Sequence, residues 1–266
     1  MSEQPSAGYL QRFGGIGRLY GMPALQALSR AHFMVVGIGG VGSWVAEALA
    51  RSGVGEISLM DMDDVCITNT NRQLPALQSS IGRPKIEVLG QRLLDINPEL
   101  RLHLLEDFLD PDNIPEYITD ELDMTVDAID SAHVKSALVA YCSRNKLPLV
   151  TVGSAGGKTD PRQITSDDLA KVSGDAMLAK VRQQLYRWHN FAKSKNRRFR
   201  VEAVYSIEQA VFPQPDGQVC QQKSAMQDGV KLDCAGGFGA ATMMTGSMGF
   251  VAAERAIKKF LSKQVV

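Results

Sequence analysis

The glycines Gly37, Gly39, Gly40 and Gly42 fall within GIGGVG, and acids come next at Asp61, Asp63 and Asp64, then Asn69, Arg72 and Lys85. Glycines at this spacing allow a sharp turn at Gly37, close backbone approach to a phosphate at Gly39, and tight helix packing at Gly42. An acid about twenty residues further on takes ribose hydroxyls in such sites, which gives that role to Asp61. The glycines alone would favour a dinucleotide such as NAD. The residues beyond Asp61 favour a nucleoside triphosphate: Arg72 and Lys85 can offset phosphate charge, and the neighbouring carboxylates suit magnesium. Asp127 and Asp130, in DAIDS, add two acids at another strand end.

These residues need a βαβ scaffold to bring them together. Phe33–Val36 reads as a buried strand, Trp44–Arg51 as a helix, and Ile57–Met60 as the strand that delivers Asp61. Lys85–Ile96 has the spacing of an amphipathic helix, and Pro84 at its start aims Lys85 from the helix N-terminus. Leu100–Leu105, Leu122–Ala128 and Pro148–Val152 read as further strands, with a helix over Val134–Asn145. This alternation predicts an α/β fold, a Rossmann-like and mostly parallel sheet with flanking helices, and ligands at the carboxyl ends of the strands. Ahead of it, Tyr9–Gly21 reads as a glycine-rich surface arm, with a short helix over Met22–Ser29 after it. The arm is either stapled down by Phe13 and Tyr20, or it carries Arg12 or Arg18 to a phosphate.

With 266 residues, 44% of them apolar, the chain can bury a sizeable core. A formal charge of zero means that any contact with a polyanion must come from a local basic patch. Lys180, Arg182, Arg187, Lys193, Lys195, Arg197, Arg198 and Arg200 form one such stretch without an acid, interleaved with Tyr186, Trp188, Phe191 and Phe199. It is either a solvated face over core aromatics or a surface for RNA, where cations meet phosphates and rings stack on unpaired bases. Val201–Ser206 reads as a strand. Cys66, Cys142, Cys220 and Cys234 form no CxxC pair, and no secretory signal is evident, so a reducing cytoplasm fits best. Residues 235–253 carry no charge and reach the length of a membrane span, but their Gly, Ala, Ser and Thr content favours a buried helix over membrane association.

GIGGVG, LMDMDDV, TNTNRQ, GRPKIE, INP and DAIDS, in that order, resemble the ubiquitin-activating-enzyme-like superfamily, with its molybdopterin and thiamine adenylyltransferases, over residues 10–155. The resemblance implies that Gly37, Gly39, Gly40, Gly42, Asp61, Asp63, Asn69, Arg72 and Lys85 bind ATP. It implies that Asp130 supports magnesium and that Arg72, Lys85 and Asp130 act in catalysis. The family's N-terminal arm delivers an arginine into the partner's site; Gly15 stands at that position here, and Arg18 or Arg12 is the substitute. The missing CxxC pairs imply no structural zinc. RFGGIGRLYG, GIGGVGSW, MDMDDVCITNTNRQ and LDCAGGFGAATM resemble a divergent branch, the bacterial tRNA threonylcarbamoyladenosine dehydratases.

That branch implies ATP-dependent cyclisation of threonylcarbamoyladenosine in the tRNA anticodon loop, through adenylation of the threonyl carboxylate. The alternative is activation of the C-terminus of a ubiquitin-like sulfur-carrier protein. The expected partners are the modified tRNA and a second copy in a homodimer, with room for sulfur-relay proteins. Residues 1–155 would form the ATP-binding half. Residues 156–266 would form a substrate and dimerisation half, with antiparallel strands and the tRNA contacts Arg182, Arg187, Lys193, Lys195, Arg197, Arg198 and Arg200. Cys234 is a packing residue or a reactive thiol near the activated substrate.

Overall fold

The computed structural model describes residues 4–193, 198–214, 216–221 and 239–264. In chain order the elements are α1 (Ala7–Tyr20), α2 (Met22–Leu28), β1 (His32–Val36), α3 (Gly42–Arg51), β2 (Glu56–Met60), α4 (Lys85–Ile96), β3 (Arg101–Leu105), α5 (Ile114–Tyr117) and β4 (Met124–Asp127). Then come α6 (Ala132–Asn145), β5 (Leu149–Val152), β6 (Ile164–Asp168), α7 (Ala176–Trp188), β7 (Glu202–Ser206), β8 (Phe212–Pro213), β9 (Val219–Cys220) and α8 (Thr242–Gln264). Seven strands form one sheet in the order β3-β2-β1-β4-β5-β7-β6. All neighbours are parallel except β6, which runs antiparallel to β7. A separate antiparallel pair joins β8 and β9.

Strand alternation splits the core into two layers. Phe33 and Val35 of β1 pack with Val45 and Leu49 of α3, Leu89 of α4 and Met248 of α8. Met34 and Val36 face the opposite side, with Leu138 and Val139 of α6 and Leu178 and Leu185 of α7. The reversal of strand order at β1 and β4 leaves a crevice at their carboxyl ends, where the glycine turn emerges.

Two expectations need correction. The Tyr9–Gly21 arm is a helix, despite glycines that disfavour one. The Ser6 hydroxyl accepts the Tyr9 N–H, and Tyr9 and Phe13, one turn apart, bury their rings together. The Tyr9 hydroxyl donates to the Gly53 carbonyl, and a Cβ at Gly17 would lie 2.7 Å from the Met22 sulfur. Packing therefore overrides propensity. The apolar segment starts later than expected: its helix, α8, begins at Thr242 and runs to Gln264, with residues 235–238 outside the described residues. Its small residues serve contact with α3, because a Cβ at Gly249 would lie 2.7 Å from Trp44 Cβ and 2.8 Å from the Val41 carbonyl. Among the described residues, no helix is long and apolar enough to cross a membrane.

Candidate nucleotide site and RNA-facing surface

The glycine turn is built by steric exclusion. Gly37 has φ +87°, and a Cβ there would approach the Ala128 carbonyl at 3.0 Å; at Gly42 it would meet the Gly37 carbonyl at 1.8 Å. The turn is thus clamped between the ends of β1 and β4. Gly39 differs, since its nearest neighbour would be Gln73 Nε2 at 3.9 Å. Its backbone stands clear enough for an anion to approach, at the N-terminus of α3, where the helix dipole favours negative charge.

Asp61 comes directly after β2 and is tied to this turn. Its carboxylate accepts the Ile38 N–H at 2.6 Å and the Asp63 N–H at 2.9 Å. Burial pushes its pKa above the ordinary carboxylate value, with Lys85 and these two N–H donors opposing the rise. Lys85 Nζ donates to Asp63 at 2.6 Å and lies 3.8 Å from Asp61. The Lys85 N–H donates to the Asp63 carbonyl, and a bridge between Asp64 and Pro84 holds the start of α4 against this loop.

Arg72 lies alongside the turn, its Cγ 3.5 Å from where a Gly40 Cβ would stand. Its Nη1 donates to the Thr68 carbonyl at 2.8 Å and to Asn71 Oδ1 at 2.9 Å. Asn69 Oδ1 accepts the Cys66 N–H, which shapes the loop that carries Arg72. From α3 and α8, Trp44 Nε1 and the Thr245 hydroxyl both donate to the Arg72 carbonyl. Gln73 is a residue that its sequence position alone did not single out: its side-chain oxygen is buried without a hydrogen-bond partner. The nitrogen of the same amide, Nε2, is the end that lies near Gly39.

The two acids of DAIDS have different fates. Asp127 is fully buried, with Lys135 Nζ 2.8 Å from one oxygen and the Thr151 hydroxyl donating to the other at 2.6 Å. Asp130 is exposed at the start of α6, where it can offer oxygen to a cation. Arg12 and Arg18 are not brought to the turn. Helix α1 is anchored on Gly53, ahead of β2, at the amino edge of the sheet. Among the described residues, no hydrogen bond or ion pair joins either arginine to the glycine turn or to Asp61.

The basic stretch divides as well. Phe199 is buried, and Tyr186 and Phe191 pack against it with centroids at 6.0 and 4.9 Å, so these three rings belong to the core. Trp188 is 52% exposed and stands against His133 in the first turn of α6, three residues beyond Asp130. Arg187 lies over its ring, and Arg187, Lys193, Arg198 and Arg200 are exposed. Arg182 is half-buried, its guanidinium turned toward the Leu169 carbonyl. The Asp168 carboxylate accepts the N–H groups of Phe199 and Arg200, which fixes the turn that presents Arg198 and Arg200. Lys195, Arg197 and Cys234 lie outside the described residues.

The sequence matches the family model of the ThiF family over residues 15–265. It is 51% identical to the tRNA threonylcarbamoyladenosine dehydratase of Escherichia coli K12 over 263 residues, 99% of this chain and 98% of that protein. The dehydratase of Haemophilus influenzae is 49% identical over 96% of this chain and 95% of its own length. A crystal structure of the E. coli dehydratase in complex with ATP superposes with a TM-score of 0.86 at 46% identity, covering 98% of each chain. The molybdopterin-synthase adenylyltransferase of E. coli is more distant, 33% identical over 47% of this chain. The chain belongs to the ThiF family and, within it, to the tRNA threonylcarbamoyladenosine dehydratases.

Proposed function

We propose that this protein is an ATP-dependent tRNA threonylcarbamoyladenosine dehydratase, which cyclises the modified adenosine of the anticodon loop. The observation that carries this beyond family membership is the adjacency of two surfaces. The glycine turn packs on Ala128 and Ile129, just before Asp130, and three residues beyond Asp130 His133 stands against the exposed Trp188, over which Arg187 lies. A single-stranded loop held there by stacking and phosphate contacts reaches the nucleotide.

In this reading Gly39 and the amides of the turn orient the phosphates, and Asp61 holds the ribose. The exposed carboxylate of Asp130 would hold magnesium, which would offset phosphate charge when ATP is bound; Asp127 is already taken by Lys135. A threonyl carboxylate oxygen attacks the α-phosphorus, the bond to pyrophosphate breaks, and an acyl adenylate remains. The ureido group then attacks the acyl carbon, loses its proton and expels AMP, so the nucleoside is one water lighter. Arg72 and Lys85 offset charge that develops on the phosphates. No protein nucleophile is needed, because the ring-closing group is already tethered to the acyl carbon.

Arg187, Lys193, Arg198 and Arg200 would meet tRNA phosphates, joined by Arg182, Lys195 and Arg197 of the same stretch. A homodimer gives Arg18 or Arg12 a role in the partner's site, since α1 lies away from its own. A cytoplasmic location accords with the tRNA substrate, and sulfur-relay proteins are further candidate partners.

The test is mass spectrometry of nucleosides from threonylcarbamoyladenosine-containing tRNA, incubated with the protein, ATP and magnesium under conditions that keep the ring closed. An ATP-dependent loss of one water is expected. An unchanged nucleoside would overturn the activity and direct attention to pyrophosphate exchange with carrier proteins.

A further inference from the structure

Away from the nucleotide site, the amino ends of β1, β2 and β3 carry a group of polar side chains that the proposed reaction does not use. His32 opens β1 across from Glu56 on β2; Glu56 pairs with Arg101 on β3, and His103 lies opposite Ser58. Alternation places all five on the side of the sheet occupied by Met34, Val36 and Met60. Here β3 is the edge strand, His103 is exposed, and His32 and Glu56 are half-buried.

We propose that His32, Glu56 and His103 form a binding site for a divalent first-row transition ion. Their ligand atoms all lie within 4.8 Å of one another. Two nitrogens converge on a single carboxylate oxygen: His103 Nε2 is 2.8 Å and His32 Nδ1 3.6 Å from Glu56 Oε1. Donors that share one such ion, each about 2.0–2.2 Å from it, stand no more than about 4.4 Å apart. Small side-chain rotations therefore suffice to enclose one.

The surrounding contacts leave the three donor atoms available. Arg101 holds the other carboxylate oxygen, Glu56 Oε2, with Nε at 2.9 Å and Nη2 at 2.7 Å. The Ser58 hydroxyl is 2.8 Å from His32 Nε2, which engages that nitrogen and orients Nδ1 toward Glu56. A ligating histidine held through its second nitrogen in this way is typical of metal centres. Two imidazoles with one carboxylate suit zinc, nickel or copper and discriminate against magnesium, which prefers oxygen. The exposed side of His103 leaves an entry path and space for water to complete the coordination. The glycine turn begins five residues beyond His32, about 16 Å along an extended strand, so the ion would not share the ATP site.

The experiment is calorimetric titration of the full chain with nickel chloride, and separately zinc chloride, in excess magnesium. One equivalent of ion should bind, and nickel should raise the melting temperature of the wild type. Glu56→Gln and His103→Ala should each weaken binding on the order of tenfold or more and remove the thermal shift. Melting curves without metal check that both variants fold; His103 is an exposed edge-strand residue, so its loss should leave the fold intact. Failure of the wild type to bind one equivalent, or binding of equal affinity in both variants, would overturn the site and leave a hydrogen-bonded surface cluster. None of these readouts depends on activity toward tRNA.

Discussion

Among the described residues three buried lysines pair with aspartates, Lys135, Lys85 and Lys158, and the first two differ in one respect that separates scaffold from site. Lys135 and Asp127 are both 0% exposed, and Thr151 and the Ile129 N–H occupy the remaining carboxylate positions. Lys85 is 5% exposed, but its nearest partner, Asp63, is 56% exposed. The first pair is closed on every side and can exchange for nothing. The second lets a hydrated carboxylate be replaced by another anion, so Lys85 can turn to a phosphate without leaving a charge stranded in the core.

Substitution at each lysine should separate these roles. Lys135→Ala leaves Asp127 buried and unpaired, and should cost about 3–5 kcal/mol of stability. That is a fall in Tm of about 10 °C or more by differential scanning calorimetry. Adding Asp127→Asn should return part of it, as a coupling between neighbours. Lys85→Ala should instead lower ATP-dependent turnover about 10²–10³-fold, with a stability loss of only about 1 kcal/mol. Equal Tm losses in the two alanine variants would erase the distinction.

Replacing Arg187, Arg198 and Arg200 together with alanine should weaken tRNA binding and lower the slope of log affinity against log salt by about two, at roughly 0.7 per phosphate contact. An unchanged slope by filter binding at several salt concentrations would remove this surface from RNA recognition. The smallest effect concerns pH. In the proposed site an ionised Asp61 holds the ribose, and burial raises its folded pKa, so ATP affinity should begin to fall at a higher pH than for an ordinary carboxylate. Asp63→Asn removes a like charge beside it and should move that acid limb to lower pH, read from ATP titrations across the acid range.

The parts of this arrangement legible in the sequence are those where only one residue type fits. Gly37 and Gly42 are forced by backbone contacts, and Asp61 and Lys85 sit where a strand ends and a helix begins. Helix α1 was hidden because its stability comes from Tyr9 and Phe13 docking on Gly53, a contact 44 residues away for Tyr9. The β6 strand, ITSDD, has acids where a strand is expected to show β-branched or aromatic residues; it holds because β7 lends it a full antiparallel ladder. Lys135 reads from sequence as a solvated helix position, and Gln73 as one more polar loop residue. In both cases the meaning lies in what a neighbouring element leaves unpaired. The interleaved aromatics of the basic stretch looked alike in sequence, and only packing distinguishes Trp188 from Tyr186, Phe191 and Phe199.

The brace that α8 places on Arg72 has a consequence for biosynthesis. Thr245 lies 173 residues beyond the carbonyl it holds. A ribosome adding about 5–20 residues per second exposes the Arg72 loop roughly 10–35 s before the helix that steadies it. The Arg72 loop is therefore among the later parts of the nascent chain to mature, because the helix that braces it must first emerge and dock.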